Sequence, residues 1–336
     1  MIITKITLSH HKIPLKHPFI TALRRVDTVE FLRVHIETDS TIVGIGEAPP
    51  THAVTGETLE SITQDITQVI TPKLLGLSIE DAFVTLLTCK QNSASAAIDI
   101  ALHNMMAQKQ GVSLKSHLGA KVSHLKTAIT ISLDTPEIMA TRAQEAFQEG
   151  LDILKIKVGA KDTKDSERIH TICRRVPKAK ILIDANQAWS FEEALSIIKE
   201  ISHLNISLIE QPLIADDLEG MSQLTSQSSI AILADESAFN LNEVKKVIAH
   251  KSAHMINIKL MKCGGISPAI EIIKYCEKNA ITCMMGSMLE GPHSIIAAAS
   301  LAMAYPETIK YIDLDSPLLY KAIASNLAFS ANELSL

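Results

Sequence analysis

The chain reads as an α/β protein: an eight-stranded (β/α) barrel preceded by a smaller α+β unit. Spacing carries that prediction. From about residue 125 short apolar runs recur (TAITISL, ILKIKVG, KILIDAN, ISLIEQP, IAILADES, MINIKLMKCG, ITCMMGSMLE and KYIDLD). They begin near residues 127, 153, 180, 206, 230, 255, 281 and 310. Successive starts are separated by one strand, one helix and two short loops, the size of a βα unit. Helical patterns such as FEEALSIIKEIS and SPAIEIIKYCEKN fill the gaps, and eight such alternations favour a barrel over an open sheet.

The first part has a different texture. Three strand-like runs come first, around ITKITLSHHKIPL, VEFLRVHIET and TIVGIGEA, the last two joined by a short Asp-Ser turn. Helical patterns follow: ETLESITQDITQVITPKLLG, SIEDAFVTLLT and SASAAIDIALHNMMAQKQG. Asn92 or Ser93 caps the last of these and Gly111 stops it. The final SPLLYKAIASNLAFSANELSL lacks a full last helix and is expected to return to the first unit. The organisation is therefore read as residues 1–118 for the cap, 119–316 for the barrel and 317–336 for the returning segment.

With 336 residues, 46% of them hydrophobic and 21% charged, the chain can bury a sizeable core. A net charge of −5, with no basic run interleaved with aromatics, gives no reason to expect nucleic acid or an anionic membrane as partner. The stretch MIITKITLSHHKIPL lacks the charged start and unbroken apolar core of a secretory signal. The richest apolar segment, SIIAAASLAMAY, is too short to span a bilayer and reads as a buried helix. Five scattered cysteines fit a reducing compartment. A cytoplasmic homo-oligomer is the expectation.

Strand parity then selects the functional residues. Side chains on a strand alternate faces, so in LKIKVG Lys155 and Lys157 point one way while Leu154, Ile156 and Val158 point the other. The outer face of a barrel strand packs on helices and must be apolar, which turns the two lysines inward. In MINIKLMK the same test puts Asn257 and Lys259 inside. Lys262 has the opposite parity and reads as an ordinary exposed lysine. In YIDLD it puts Asp313 and Asp315 inside. Asp184, Glu210 and Asp235 end three consecutive strands.

Three carboxylates meeting at a barrel mouth would repel one another unless a cation sat between them. Hard oxygen ligands select Mg²⁺, or a relative such as Mn²⁺, over zinc. Taken singly, each acid would more readily be a helix cap or a surface ion-pair partner; three on consecutive strands beside a lysine pair favour the metal. A free lysine titrates near ~10.4, too high for a base at neutral pH. A second ammonium one pleat away and a nearby cation would disfavour protonation. Lys157 is then the candidate base, and Lys155 the charge that tunes it. Lys259, from the sixth strand, lies across the barrel from the second. Two lysines on opposite faces of one carbon could remove a proton from one side and return it from the other, the geometry of a racemase or epimerase. The metal would hold a carboxylate and stabilise the enediolate left when its α-proton departs.

At these residues the sequence resembles the enolase superfamily and, within it, the muconate-lactonising-like subgroup. The supporting motifs are KIK at 155–157, DANQAW at 184–189, EQP at 210–212, ADES at 234–237 and NIKLMKCGG at 257–265. The resemblance spans nearly the whole chain. It implies a (β/α)7β-type TIM-like barrel with an N-terminal α+β capping domain completed by the C-terminal tail. GEAPPTHAVTGET at 46–58 resembles the cap's substrate loop.

Finer features resemble the dipeptide epimerases, especially those acting on L-Ala-D/L-Glu. Asp313-Leu314-Asp315 resembles the family's eighth-strand Asp-x-Asp signature and implies a socket for a dipeptide's free ammonium. PFITALRR resembles the loop that closes over substrate. It implies that Arg24 grips the glutamate side-chain carboxylate, with Arg25 as the adjacent alternative. Thr130 resembles a first-strand hydroxyl near that carboxylate. Ser287 and Met288 resemble the seventh-strand specificity segment, implying a substrate-binding role for Met288. Asn104 stands where the family often has aspartate and is expected in cap–barrel packing. Gly291-Pro292-His293 carries no readable role; His293 could approach the site, with a helix start or packing the expectation, and Trp189 is expected to pack.

The resemblance implies a Mg²⁺-dependent epimerase acting on a small dipeptide, with L-Ala-D/L-Glu favoured and a role in recycling murein peptides. Rival outcomes of the same proton abstraction are o-succinylbenzoate synthase-like dehydration, N-acylamino acid racemisation and muconate cycloisomerisation. Asp313 and Asp315 discriminate, since an anionic or N-acylated substrate has no ammonium to put there. A Schiff-base aldolase would have no need of the three acids. A non-catalytic binding protein on the same fold is the reading furthest from the residues present.

Overall fold

Three antiparallel strands open the chain: β1 (Ile3–Ile20), β2 (Arg25–Thr38) and β3 (Val43–Ala48), side by side in that order. The structure, a computed structural model, describes residues 1–322 and 327–336. Leu32, Val34 and Ile36 alternate along β2 and turn one face of the sheet onto helices, where they pack with Ile62, Ile66 and Ile98. Leu59–Leu74 forms one helical run in three pieces, with a π-helical stretch at Asp65–Ile70 ahead of Thr71–Leu74. Pro72 has no amide proton to give and its ring crowds the preceding turn, so the coil widens there.

The helix Ser93–Lys109 joins the two units. Asn92 and Ser95 cap it reciprocally. It is apolar almost all round because both sides are covered. Ala94, Ala97, Ile98 and Ala101 belong to the core of the cap, while Ala96 and Ile100 belong to the core of the barrel.

After a short strand β4 (His124–Lys126) come eight parallel strands. They are β5 (Ile129–Ile131), β6 (Ile153–Lys157), β7 (Lys180–Asp184), β8 (Ile206–Glu210), β9 (Ala231–Ala234), β10 (Met255–Ile258), β11 (Thr282–Gly286) and β12 (Ile309–Asp313). They pair in sequence order. The Ala128 amide donates to the Ile312 carbonyl at 2.9 Å and brings the first and last strands together. A helix of ten or more residues follows each strand from β5 to β11, whereas β12 leads only to the turn Ser316–Leu319. Ile156, Ile183, Ile209 and Ile256 face the helices. Leu182, Leu208, Leu233, Met255 and Met284 point inward and fill the barrel floor with Ala128. The polar residues lie above that floor, at the carboxyl ends of the strands.

The C-terminal segment divides. Tyr320 bridges Leu15 of β1, and the Lys321 amide donates to the Pro14 carbonyl at 2.9 Å. Residues 323–326 of the segment lie outside those described. The last residues go to the barrel rather than, as expected, to the cap: β13 (Ala328–Ser330) and β14 (Glu333–Ser335) form a hairpin paired onto β4. Asn332 fastens that hairpin to Asp152 at 2.9 Å. Among the described residues no helix is long and apolar enough to cross a membrane.

Candidate active site at the strand ends

Lys155, fully buried, stands at the centre of the barrel mouth. Its Nζ lies 3.0 Å from Asp184 Oδ2, 2.7 Å from Glu210 Oε2 and 2.7 Å from Asp313 Oδ2. Lys157, one pleat further along β6, donates to Asp184 Oδ2 at 2.5 Å. Lys259 follows directly on β10, four strands from β6 around the eight, and donates to Asp235 Oδ2 at 2.6 Å. All three lysines line one pocket with Asn186, Asp235, Asp313 and Asp315. The cap closes the pocket with Phe19, Thr21, Leu23, Arg24 and Val54. Its free volume is about 50 Å³.

The electrostatics report a shortage of positive charge. Burial lowers the affinity of Lys155 and Lys259 for their protons, yet the surrounding carboxylates outweigh it and hold both above the ordinary lysine range. Burial opposes ionisation of Asp184 too, but Lys155 and Lys157 bring it down to about 2. Asp235 is likewise held below the ordinary carboxylate range, Lys259 and Lys262 outweighing its burial. Three of the other acids go the other way. Glu210 is pushed up to about 7 by burial and the Asp184 charge, and Glu236 to about 8 by burial and the charges of Asp235 and Asp184. Asp315 rises to about 6 through burial beside Asp313. Six buried carboxyl groups (Asp184, Glu210, Asp235, Glu236, Asp313, Asp315) thus face four buried ammonium groups (Lys155, Lys157, Lys259, Lys262).

Asp184, Glu210 and Asp235 were expected to converge on a cation. Among the described residues no three acidic, histidine or cysteine side chains stand close enough to form a ready metal cage. The lysine ammonium groups reach the carboxylate oxygens instead. The donor set nevertheless fits a hard divalent cation. It is all oxygen, it carries excess negative charge, and Asn186 Oδ1 and Glu236 Oε2 are buried there without a hydrogen-bond partner.

The substrate-side residues gather at the same mouth. Thr130, Met288, Asp313 and Asp315 line the pocket, and the Thr130 amide donates to Asp315 Oδ2 at 2.7 Å. Arg24 is half-buried, and among the described residues its guanidinium has no hydrogen-bond or ion-pair partner. Arg25 is exposed and pairs with Asp27 at 3.2 Å, outside the pocket.

Three expectations need correction or completion. Lys262, expected in solvent, is 2% exposed. Its ammonium meets Asp235 Oδ1 at 2.6 Å and the carbonyls of Asp235 and Asn257 at 2.7 and 2.9 Å. β10 ends at Ile258 and a helical turn follows at Leu260–Cys263, so strand parity does not extend to it. Asn104, expected between cap and barrel, accepts from Gln108 at 2.8 Å within its own helix. The contact across to the barrel is made one turn earlier, where Asp99 Oδ2 accepts the Ser267 amide at 3.0 Å.

Gly291-Pro292-His293 proves to be a docking point. The helix Pro292–Ala304 has no side-chain cap of its own. Glu47 of β3 supplies one, its Oε2 accepting the His293 amide at 2.8 Å, while Arg33 holds Oε1 at 2.7 Å. A Cβ on Gly291 would sit 2.4 Å from that same Oε2. Trp189 packs as expected and also donates to Asp165 at 2.8 Å.

Asn186, Gln211, Glu236 and Asn257 are site residues that parity and charge did not single out for a role. The DANQ, EQP and ADES motifs contained the first three. The backbone offers a second mark: Asn186, Gln187 and Gln211 all have positive φ, of 43°, 68° and 36°, a conformation L residues adopt at a cost.

Residues 3–119 match the mandelate racemase/muconate lactonizing enzyme N-terminal domain, and residues 138–332 the enolase C-terminal domain-like family. The chain is similar to an L-amino acid-D/L-Glu epimerase of Sulfurimonas denitrificans, with 46% identity over 98% of this chain and 97% of the relative. Its fold is similar to a substrate-liganded complex of the L-Ala-D/L-Glu epimerase from Bacillus subtilis, with a TM-score of 0.96, 39% identity and coverage of 100% and 96%. It is also similar to a dipeptide epimerase from Enterococcus faecalis complexed with Mg and L-Leu-L-Tyr, with a TM-score of 0.95, 36% identity and coverage of 100% and 97%. The chain therefore belongs to the mandelate racemase and muconate lactonizing enzyme family of the enolase superfamily, as an isomerase among its epimerases and racemases.

Proposed function

We propose that the chain is a Mg²⁺-dependent dipeptide epimerase that inverts the α-carbon of the C-terminal residue, with L-Ala-D/L-Glu as the favoured substrate, in the recycling of murein peptides. One observation carries the reading: Lys157 and Lys259 come from strands half a barrel apart and line a single pocket. An α-carbon between them has one amine on each face. One lysine takes the proton, the carbon flattens, and the other lysine returns a proton to the opposite face. Lys155 stays charged among three carboxylates and supplies fixed positive charge beside Lys157.

Asp184, Glu210 and Asp235 are the residues that would hold the cation, with Asn186 and Glu236 beside them. When bound, it would offset the negative charge that the substrate carboxylate gains on losing its α-proton. Asp313 and Asp315 would receive the free ammonium. Arg24, unpaired at the pocket wall, would receive the glutamate side-chain carboxylate next to Thr130, and Met288 would bound the remaining wall. The names of the relatives support a dipeptide substrate, and the Mg in one relative supports the choice of ion.

The test is exchange in heavy water. With Mg²⁺ present, the protein should exchange the glutamate α-hydrogen of both L-Ala-L-Glu and L-Ala-D-Glu for deuterium. Lys157→Ala and Lys259→Ala should each lower the inversion rate by about 10²–10⁴-fold. No exchange across a dipeptide library would overturn the epimerase reading.

A further inference from the structure

The three carboxylates at the ends of β7, β8 and β9 share a pattern. Each has one oxygen tied back by a donor outside the Lys155–Lys157–Lys259 set, and the other oxygen met by those lysines. Asp184 Oδ1 accepts the Asn186 amide at 3.0 Å, while Oδ2 meets Lys155 and Lys157. Asp235 Oδ1 takes Lys262 at 2.6 Å, while Oδ2 takes Lys259 at 2.6 Å. Glu210 Oε1 accepts from Asn257 Nδ2 at 2.8 Å, with Lys259 at 3.9 Å, while Oε2 lies 2.7 Å from Lys155.

We infer that Asn257, seated by Gly286, is a positioning residue that ties back Glu210 Oε1 and so presents Oε2 to the cation. The inference rests on Glu210 being a metal ligand, as proposed above. Asn257 is fully buried on the inner face of β10, one pleat before Lys259. Its only side-chain hydrogen bond among the described residues goes to Glu210; its Oδ1 has no partner. The amide is therefore spent on that carboxylate alone.

Gly286, on the neighbouring β11, explains how a bulky amide fits there. A Cβ at Gly286 would lie 2.5 Å from Asn257 Oδ1 and 2.9 Å from its Nδ2. The Gly286 backbone is not in the left-handed region, so glycine is needed for space rather than for conformation. An alanine there fits the strand but displaces the amide, and Glu210 Oε1 then loses its tie while Lys155 still holds Oε2. Losing an outer partner of a metal ligand typically weakens the metal by about 10–100-fold.

The experiment is calorimetric titration of Mg²⁺ alone into metal-stripped wild type, Asn257→Ala, Gly286→Ala and the double variant, each first shown to be folded by circular dichroism. Glu210→Gln serves as the control for the ligand itself. Asn257→Ala and Gly286→Ala should each bind Mg²⁺ about 10–100-fold more weakly than wild type. The double variant should bind no more weakly than Asn257→Ala, because Gly286→Ala acts only through the amide. Asn257→Ser takes the place of Asn257→Ala if the latter does not fold. Wild-type affinity in Asn257→Ala, or additive losses in the double variant, overturns the inference alone. Wild-type protein that binds no Mg²⁺, or binds it unchanged in Glu210→Gln, overturns the metal reading beneath it as well.

Discussion

Arg24 is a guanidinium held half-buried at the pocket wall with nothing to pair with among the described residues. Such a group is costly to leave unmet, because burial removes water that would otherwise solvate it; burial also lowers its pKa from the ordinary arginine value. A carboxylate arriving beside it would satisfy it with two parallel hydrogen bonds. Arg24→Met should therefore raise KM for L-Ala-L-Glu by roughly 10–100-fold, the scale of a lost hydrogen bond between charged groups. The same change should leave KM nearly constant for a dipeptide ending in a neutral residue. Equal losses on both substrates would point to a role in shaping the loop. Lys262 illustrates the opposite case. Its ammonium has three oxygen partners and no access to the pocket, so its charge serves to hold Asp235 rather than to react.

Among the elements, the helix Pro292–Ala304 shows how the cap and barrel are fastened together. Its first amides are satisfied by Glu47, a residue of the cap sheet, so the start of this helix depends on docking between the two units. His293 sits in that first turn, with its pKa pushed down to about 4 by burial and by the nearby charges of Arg33 and His35. Its folded value thus lies below the ordinary 6.5, so below that pH the unfolded chain takes up a proton that the folded chain refuses. Stability from this group is present above about pH 6.5 and falls as pH drops toward 4. In His293→Asn the slope of unfolding free energy between those pH values should become shallower in urea titrations. An unchanged slope would show that other groups govern that limb.

In the whole molecule, the strand order joins sequence ends that are far apart. The amide of Ala128 meets Ile312, and β14 meets β4, so the terminal hairpin covers the foot of the barrel away from the chemistry. Leu334 in that hairpin is fully buried in the barrel's main core. Leu334→Ala should cost about 2–5 kcal/mol of stability, the range for removing a large buried aliphatic side chain, measured by urea unfolding. At temperatures where the variant stays folded, kcat/KM should match wild type, since Leu334 lies at the opposite end from Lys157 and Lys259. A large fall in kcat/KM would mean that the floor and mouth of the barrel are coupled.

By itself the sequence determined the alternation of strands and helices, and the inward direction of Lys155, Lys157, Asn257, Lys259, Asp313 and Asp315. Both follow from short-range periodicity: helices and strands impose fixed repeats on apolar side chains, so polar residues that alternate with an outward apolar set must point in. Parity stopped being informative where a helical turn replaced the strand, and Lys262, within Leu260–Cys263, was misread for that reason. Only the tertiary structure decided that Glu47 starts a helix some 250 positions downstream, and that Gly286 makes room for Asn257. It also decided that the last strand pairs with β4. These contacts join side chains and backbones whose separation along the chain carries no period. They are set by which surfaces meet when the barrel closes and the cap docks, and no local rule encodes that meeting.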